Sequence, residues 1–208
     1  MATTTPNYGW TVPTSTDLVK DGATAIETLG DAIDASMNTA LGTKKAGMVL
    51  LNTTSFSAVS SASLPANTFT ATYDNYRIIL NCSSTAFSFI QIRLRAAGAD
   101  NTTSNYFSGM NNTALVSGGI TADPGGAVGN IMSRMGFSNV ADSIDIFYDI
   151  YNPFATKKTG LTGMQSRSDS ILTSLAGFFQ TTTSFDSLSF IPSAGTITGS
   201  VSVYGYNK

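Results

Sequence analysis

The hydrophobic pattern of this chain changes period once, after Lys45, and that change constrains the fold more than any other feature. Upstream of it apolar residues recur every seven positions. Downstream they alternate or run in short blocks. The first pattern lays a stripe along a helix and the second covers one face of a strand, so the two stretches need different backbones. The chain therefore reads as mainly β: an antiparallel β-sandwich or jelly roll preceded by one N-terminal coiled-coil helix.

The helical stretch runs from Thr14 to Gly42. Ser15 and Thr16 are good N-caps, and Asp17 and Asp21 suit the positive end of the helix dipole. Gly42 is a natural stop, followed by Lys44 and Lys45 at the negative end. Val19, Ile26, Ile33 and Ala40 fall on the a positions of a heptad and Leu29 on a d position, with Met37 on the flank. The flanks are small or apolar where a two-stranded zipper carries Glu and Lys, and the a positions are largely β-branched. One reading is an amphipathic helix lying on its own chain; the other is a homotrimer with Val19, Ile26, Leu29, Ile33, Met37 and Ala40 in the seam. Gly22 and Gly30 each cost roughly 0.5–1 kcal/mol against Ala, so so short a helix needs a second trimerising element.

Residues 1–14 read as an extended segment. Asn7, Tyr8, Trp10, Val12 and Pro13 lie in NYGWTVP behind Pro6, with no helical period. Trp10 is the only tryptophan. Either it staples onto the following helix, or it plugs a socket on a larger assembly. The domain reading is thus 1–14 attachment segment, 15–45 trimerising helix and linker, and 46–208 β-sandwich head.

Within the head, strand signals fall at 46–51, 76–80, 89–95, 131–137, 143–151, 159–165, 171–180, 188–191 and 196–206. In the third of these, Ile90, Ile92 and Leu94 face inward and Gln91, Arg93 and Arg95 outward. Residues 98–129 are rich in Asn, Thr, Ser and Gly and read as loops ending in a Pro124-Gly125-Gly126 turn.

The start of the chain, NYGWTVPTSTDLVKDGATAIETLGDAID, resembles the start of many bacteriophage tail-fibre and minor tail proteins. There a short attachment peptide precedes a trimeric helix. The end, FDSLSFIPSAGTITGSVSVYGYNK, looks like the closing hairpin of β-sandwich heads on phage virion proteins. The resemblance implies a structural, adhesive virion protein: a short homotrimeric tail fibre joined to other virion proteins and engaging a host-surface polysaccharide. A capsid decoration or head-fibre protein of similar build fits the same residues. Assembly in the host cytoplasm would follow, since MATTTPNYGW has neither a basic nor an apolar leader region.

Charged residues are 12% of the chain against about 25% in ordinary soluble domains. Ser and Thr take their place, which suits a virion surface better than a cytosolic enzyme. Net charge is −2, without a basic block, so no nucleic-acid partner is expected. No apolar run reaches the roughly 20 residues that span a bilayer. The lone cysteine, Cys82, leaves no internal disulfide and reads as a small buried side chain.

No histidine is present, which removes Ser-His-Asp and Cys-His catalysis and His-ligated zinc. No cofactor or metal is implied. A tail-associated glycan hydrolase would have to use Asp142, Asp145 and Asp149. Asp145 and Asp149 lie on one strand face about 13 Å apart, beyond the separations glycosidases use. A solvated face paired with Arg77, Arg93 or Arg95 is the simpler reading. The residues Asn105, Tyr106 and Phe107 are the candidates for receptor contact, as aromatic rings stacking on sugars; the alternative is that both rings fill the core.

Overall fold

The computed structural model describes residues 3–14, 18–41, 47–125, 129–139 and 143–207. The chain divides into two units between Gly47 and Met48. The caps expected at Ser15, Thr16, Asp17 and Gly42, and the charges of Lys44 and Lys45, lie outside the described residues.

In the first unit, β1 (Thr3–Thr4) and β2 (Thr11–Val12) pair antiparallel, Thr3 opposite Val12. The segment expected to run extended therefore doubles back. Pro6 presets the turn, Gly9 supplies a φ of +66°, and the Thr5 N–H closes the loop on the Trp10 carbonyl at 2.9 Å. A 3-10 turn at Val19–Asp21 then leads into α1 (Gly22–Leu41). Hairpin and helix belong to one unit rather than the two that were expected. The indole N–H of Trp10 donates to Ser36 at 2.9 Å, and β2 lies against α1.

That contact splits the expected seam. Gly22, Ala25, Leu29, Ala32 and Ser36 are half-buried at three- and four-residue spacing, the face turned to the hairpin. Leu29, expected to face other helices, is covered from within its own unit. The reason is Trp10, whose ring needs apolar cover and whose N–H needs an acceptor. Ile33 is half-buried at the border. Val19 is 97% exposed, Ile26 66% and Met37 52%, and Ala40 is exposed too. Among the described residues, no helix is long and apolar enough to cross a membrane.

The second unit is built from β3 (Met48–Val59), β4 (Ala62–Ser63), β5 (Asn75–Ser84), β6 (Ser88–Ala96), β7 (Ala99–Asp100) and β8 (Tyr106–Ala114). It continues with β9 (Ile120–Pro124), β10 (Phe137–Ser138), β11 (Ser143–Tyr151), β12 (Thr159–Ser166), β13 (Ile171–Phe179), β14 (Ser187–Pro192) and β15 (Ile197–Tyr206). Eight of these form one antiparallel sheet in the order β3-β15-β5-β11-β12-β13-β8-β9. A second sheet runs β10-β6-β14-β4, with β7 on β6.

The expected mainly β, sandwich-like class is therefore what the chain adopts. Alternation fills the space between the sheets: Tyr76, Ile78 and Leu80 of β5 and Ile144, Ile146, Tyr148 and Ile150 of β11 are buried. Ile90, Ile92 and Leu94 of β6 are buried as their period requires. Tyr148 meets Phe190 of the smaller sheet with ring centroids 5.8 Å apart, and its hydroxyl donates to the Met135 carbonyl. Gln165 of β12 clamps the sheets together: its amide accepts from the Phe137 N–H at 3.0 Å and donates to the Phe137 carbonyl at 2.6 Å. Gly136, at φ +149°, lets the backbone pass where any Cβ would stand 2.4 Å from the Ile146 side chain.

Several strand expectations change. Residues 98–129 contain β8 and β9, whose pairing with β13 and with each other supplies the order their composition lacks. The stretch at 131–137 is no continuous strand, only a bridge from Met132 to Ile92 and the short β10. β3 extends eight residues past Leu51 through a Thr- and Ser-rich run. The C-terminal pair is not a hairpin: β14 pairs with β6 and β4, whereas β15 pairs with β3 and β5. The Ser193–Thr196 turn carries the chain from one sheet to the other, because both strands have a buried face to place in the same core.

Candidate functional site

The second face of the eight-stranded sheet carries the chemistry that the core does not use. Odd-numbered residues of β5, β11 and β8 and even-numbered residues of β12 and β13 point to it. The register aligns them in rows. One row reads Tyr151, Gly160, Phe178, Phe107 across β11, β12, β13 and β8. The next reads Asp149, Thr162, Ala176, Gly109, and a third Phe147, Met164, Ser174, Asn111. Large apolar groups stand in the outer rows and small ones in the middle row.

At one end of the middle row the charges neutralise each other. Arg77 binds Asp149 through two hydrogen bonds, Nε at 2.9 Å and a terminal nitrogen at 2.7 Å. The Tyr206 hydroxyl donates to the same carboxylate at 2.6 Å, and the guanidinium lies 4.9 Å from the Phe147 ring centroid. Burial disfavours charge on Asp149, yet the bonds from Arg77 and Tyr206 outweigh it and hold the carboxyl below its usual range. Burial and then the bond to Asp149 push Tyr206 up to about 12. Arg77 is raised in turn by Asp149.

Asp145 takes a different pair of donors, the Asn81 amide at 2.7 Å and the Ser143 hydroxyl at 2.8 Å. Arg93 donates to the Asn130 carbonyl at 3.2 Å, and Arg95 sits 3.4 Å from Asp100 in the other sheet. Of the three arginines expected to meet these aspartates, only Arg77 does. Asp142 lies outside the described residues. Among the described residues no cluster of His, Cys, Asp and Glu is arranged to hold a metal ion. Cys82 is buried in the core, which pushes its thiol up to about 12.

The middle of the face is a shallow apolar cleft of about 400 Å³ over β12, β13 and β8. Phe178 and Phe107, stacked at 4.6 Å and 7°, bound one side and Tyr151 the other. Gly160, Ala176 and Gly109 are its floor, with no side chain larger than a methyl. A Cβ on Gly160 would meet the Tyr151 ring at 3.7 Å and one on Gly109 the Asp123 carbonyl at 3.7 Å, both ordinary contacts. The floor is therefore bare without steric necessity. At the rim the Tyr151 and Thr162 hydroxyls bond to each other at 3.1 Å.

The three residues expected to contact a receptor go separate ways. Tyr106 is buried, its ring 4.8 Å from Phe179 and its hydroxyl bonded to the Asn101 carbonyl and the Leu94 N–H. Asn105 holds a turn, its amide on the Thr103 hydroxyl at 3.2 Å and its carbonyl on the Gln180 N–H. Only Phe107 reaches the outer face. Of the attachment residues, Asn7 and Tyr8 are exposed at the hairpin turn, whereas Trp10, Val12 and Pro13 are half-buried. Tyr8 stacks on Trp10 at 5.1 Å. Sequence reasoning missed Tyr151 and Phe178. The available signal was that the outward positions of β11 and β13 carry Phe and Tyr where a solvated face carries polar groups.

No protein-family model matches this sequence, and no curated protein matches it either.

Proposed function

We propose that the protein is a structural component of a bacteriophage virion, a short homotrimeric fibre. Its helix would bundle with two copies while its sandwich forms the exposed head. The observation that carries this reading is the uncovered stripe of α1. Ile26 and Met37 stand more than half exposed along one side of it, with Val19 more exposed still in the 3-10 turn just before, although the adjacent face is closed by the Trp10 hairpin. Two large apolar side chains in line on a helix, with a third in the turn before it, gain free energy when a partner removes them from water. The covered d face makes the bundle wider than a simple zipper, with the three hairpins on its flanks.

Replacing Ile26 by Asp puts a carboxylate into that seam. Light scattering on the intact protein is expected to show a trimer for the native chain and a monomer for Ile26→Asp at micromolar concentration. A native chain that already runs as a monomer overturns the reading. Gold labelling of particles with an antibody to the head distinguishes a tail fibre from a capsid fibre.

A further inference from the structure

We propose that the cleft over β12, β13 and β8 is a docking site for a neutral aromatic side chain of a partner polypeptide, and this holds whichever particle the chain belongs to. The site lies on interior strands of an eight-stranded sheet, so its walls are held in place before anything binds. Phe178 and Phe107 make one wall and Tyr151 the other, with Gly160 between them and Ala176 and Gly109 beside the two phenylalanines in the next row. A methyl group on Gly160 or Gly109 would meet only ordinary contacts at 3.7 Å, so sterics do not force the floor to be bare. What it lacks is a group the height of its own walls.

Charge decides what that group is. Among the described residues, no ionised side chain lines the cleft. The nearby Arg77 is bonded to Asp149, which also accepts from the Tyr206 hydroxyl, and the rim hydroxyls of Tyr151 and Thr162 are bonded to each other. A charged ligand would lose water and gain no counter-ion. A pyranose would bring several hydroxyls to a surface with no free carboxylate or amide to receive them. An aromatic ring needs neither, and it gains offset or edge contacts with Phe178 and Tyr151. The volume of about 400 Å³ suits one ring with the backbone that carries it. Such an anchor, ringed by weaker contacts, is the usual core of a protein interface.

The test uses the full-length protein and p-cresol, the side-chain analogue of tyrosine, with methyl α-glucopyranoside as the sugar probe. Saturation-transfer NMR is expected to show p-cresol saturating at about millimolar concentration. Ala176→Phe fills the floor and Phe178→Ala removes a wall; both positions are solvent-facing, and unchanged circular dichroism confirms the fold. Each is expected to weaken p-cresol binding by about tenfold or more. The proposal is overturned if p-cresol does not bind, if both variants bind it as the native chain does, or if only the glucoside binds in a way these variants abolish. The trimer of the proposed fibre is read by scattering, so either idea can fail alone.

Discussion

The two units solve the same problem in opposite ways. In the sandwich, two sheets enclose Tyr76, Tyr148, Phe185 and Phe190 with no exposure at all. In the hairpin and helix, no described residue is buried; the best covered are half-exposed. The sandwich closes a core from its own strands, so its stability belongs to the chain. The helix has one side covered by the hairpin and one left open, so the proposed trimer would supply the rest of its cover. The unit that packs least by itself is the one the proposed fibre would use to assemble.

The largest test of that contrast is Phe190→Ala. It removes a ring packed against Tyr148 at the sheet interface and is expected to cost about 3–5 kcal/mol in chemical denaturation of the sandwich. The oligomeric mass of the folded fraction should not change. If it does, the sandwich takes part in assembly and the contrast is too sharp.

Gln165→Leu comes next. The substitution keeps the volume but strands the N–H and carbonyl of Phe137, each worth about 1–3 kcal/mol when left unpaired in the core. A loss well under 1 kcal/mol would mean that β10 is held by its pairing with β6 instead.

Trp10→Ala strips the cover from α1. A half-buried indole is expected to contribute about 1–2 kcal/mol, visible in the helical part of the melting curve at 222 nm and absent from the sandwich transition. Equal shifts in both transitions would break the separation of the units.

The smallest effect is with pH and concerns the sandwich alone. The Asp149 carboxyl is lowered in the folded chain, so its stabilisation is complete above the usual carboxylate range and lost as pH falls through the lowered value. Tyr206 is raised to about 12, so its contribution is complete below its ordinary value of 10 and lost as pH rises between the two. Both groups are partly exposed, and the expected change at either end is about 1 kcal/mol or less. Asp149→Asn should flatten both limbs of the stability profile. A profile unchanged by that substitution would show that Arg77 and Tyr206 find equal partners elsewhere.

Legibility followed the same division. The alternation of Ile90, Ile92 and Leu94 named the inward face of β6 correctly, because a strand with one dry face must repeat every two residues. β8 and β9 were invisible: Asn111, Asn112 and Gly109 have no strand preference, and order comes to them from β13 through ladder bonds. Phe107 was legible as an aromatic available for contact, but its neighbour Tyr106 took the core by the same alternation. The cleft was not legible at all. Its walls and floor come from β8, β11, β12 and β13, and nothing in the order of residues sets Phe178 beside Gly160.

By itself the sequence determined the class of backbone wherever the period was clear: a helix of period seven, then strands of period two, with the core face of the clearest strands. Local sterics and the burial of one face suffice for that, and both act within a few residues. Only the tertiary structure decided that β14 and β15 belong to different sheets, that Trp10 covers the d face of its own helix, and that four strands expose a bare floor between aromatic walls. These depend on which distant segments pair and in what register, and a shift of one residue would turn every side chain of a strand to the other face.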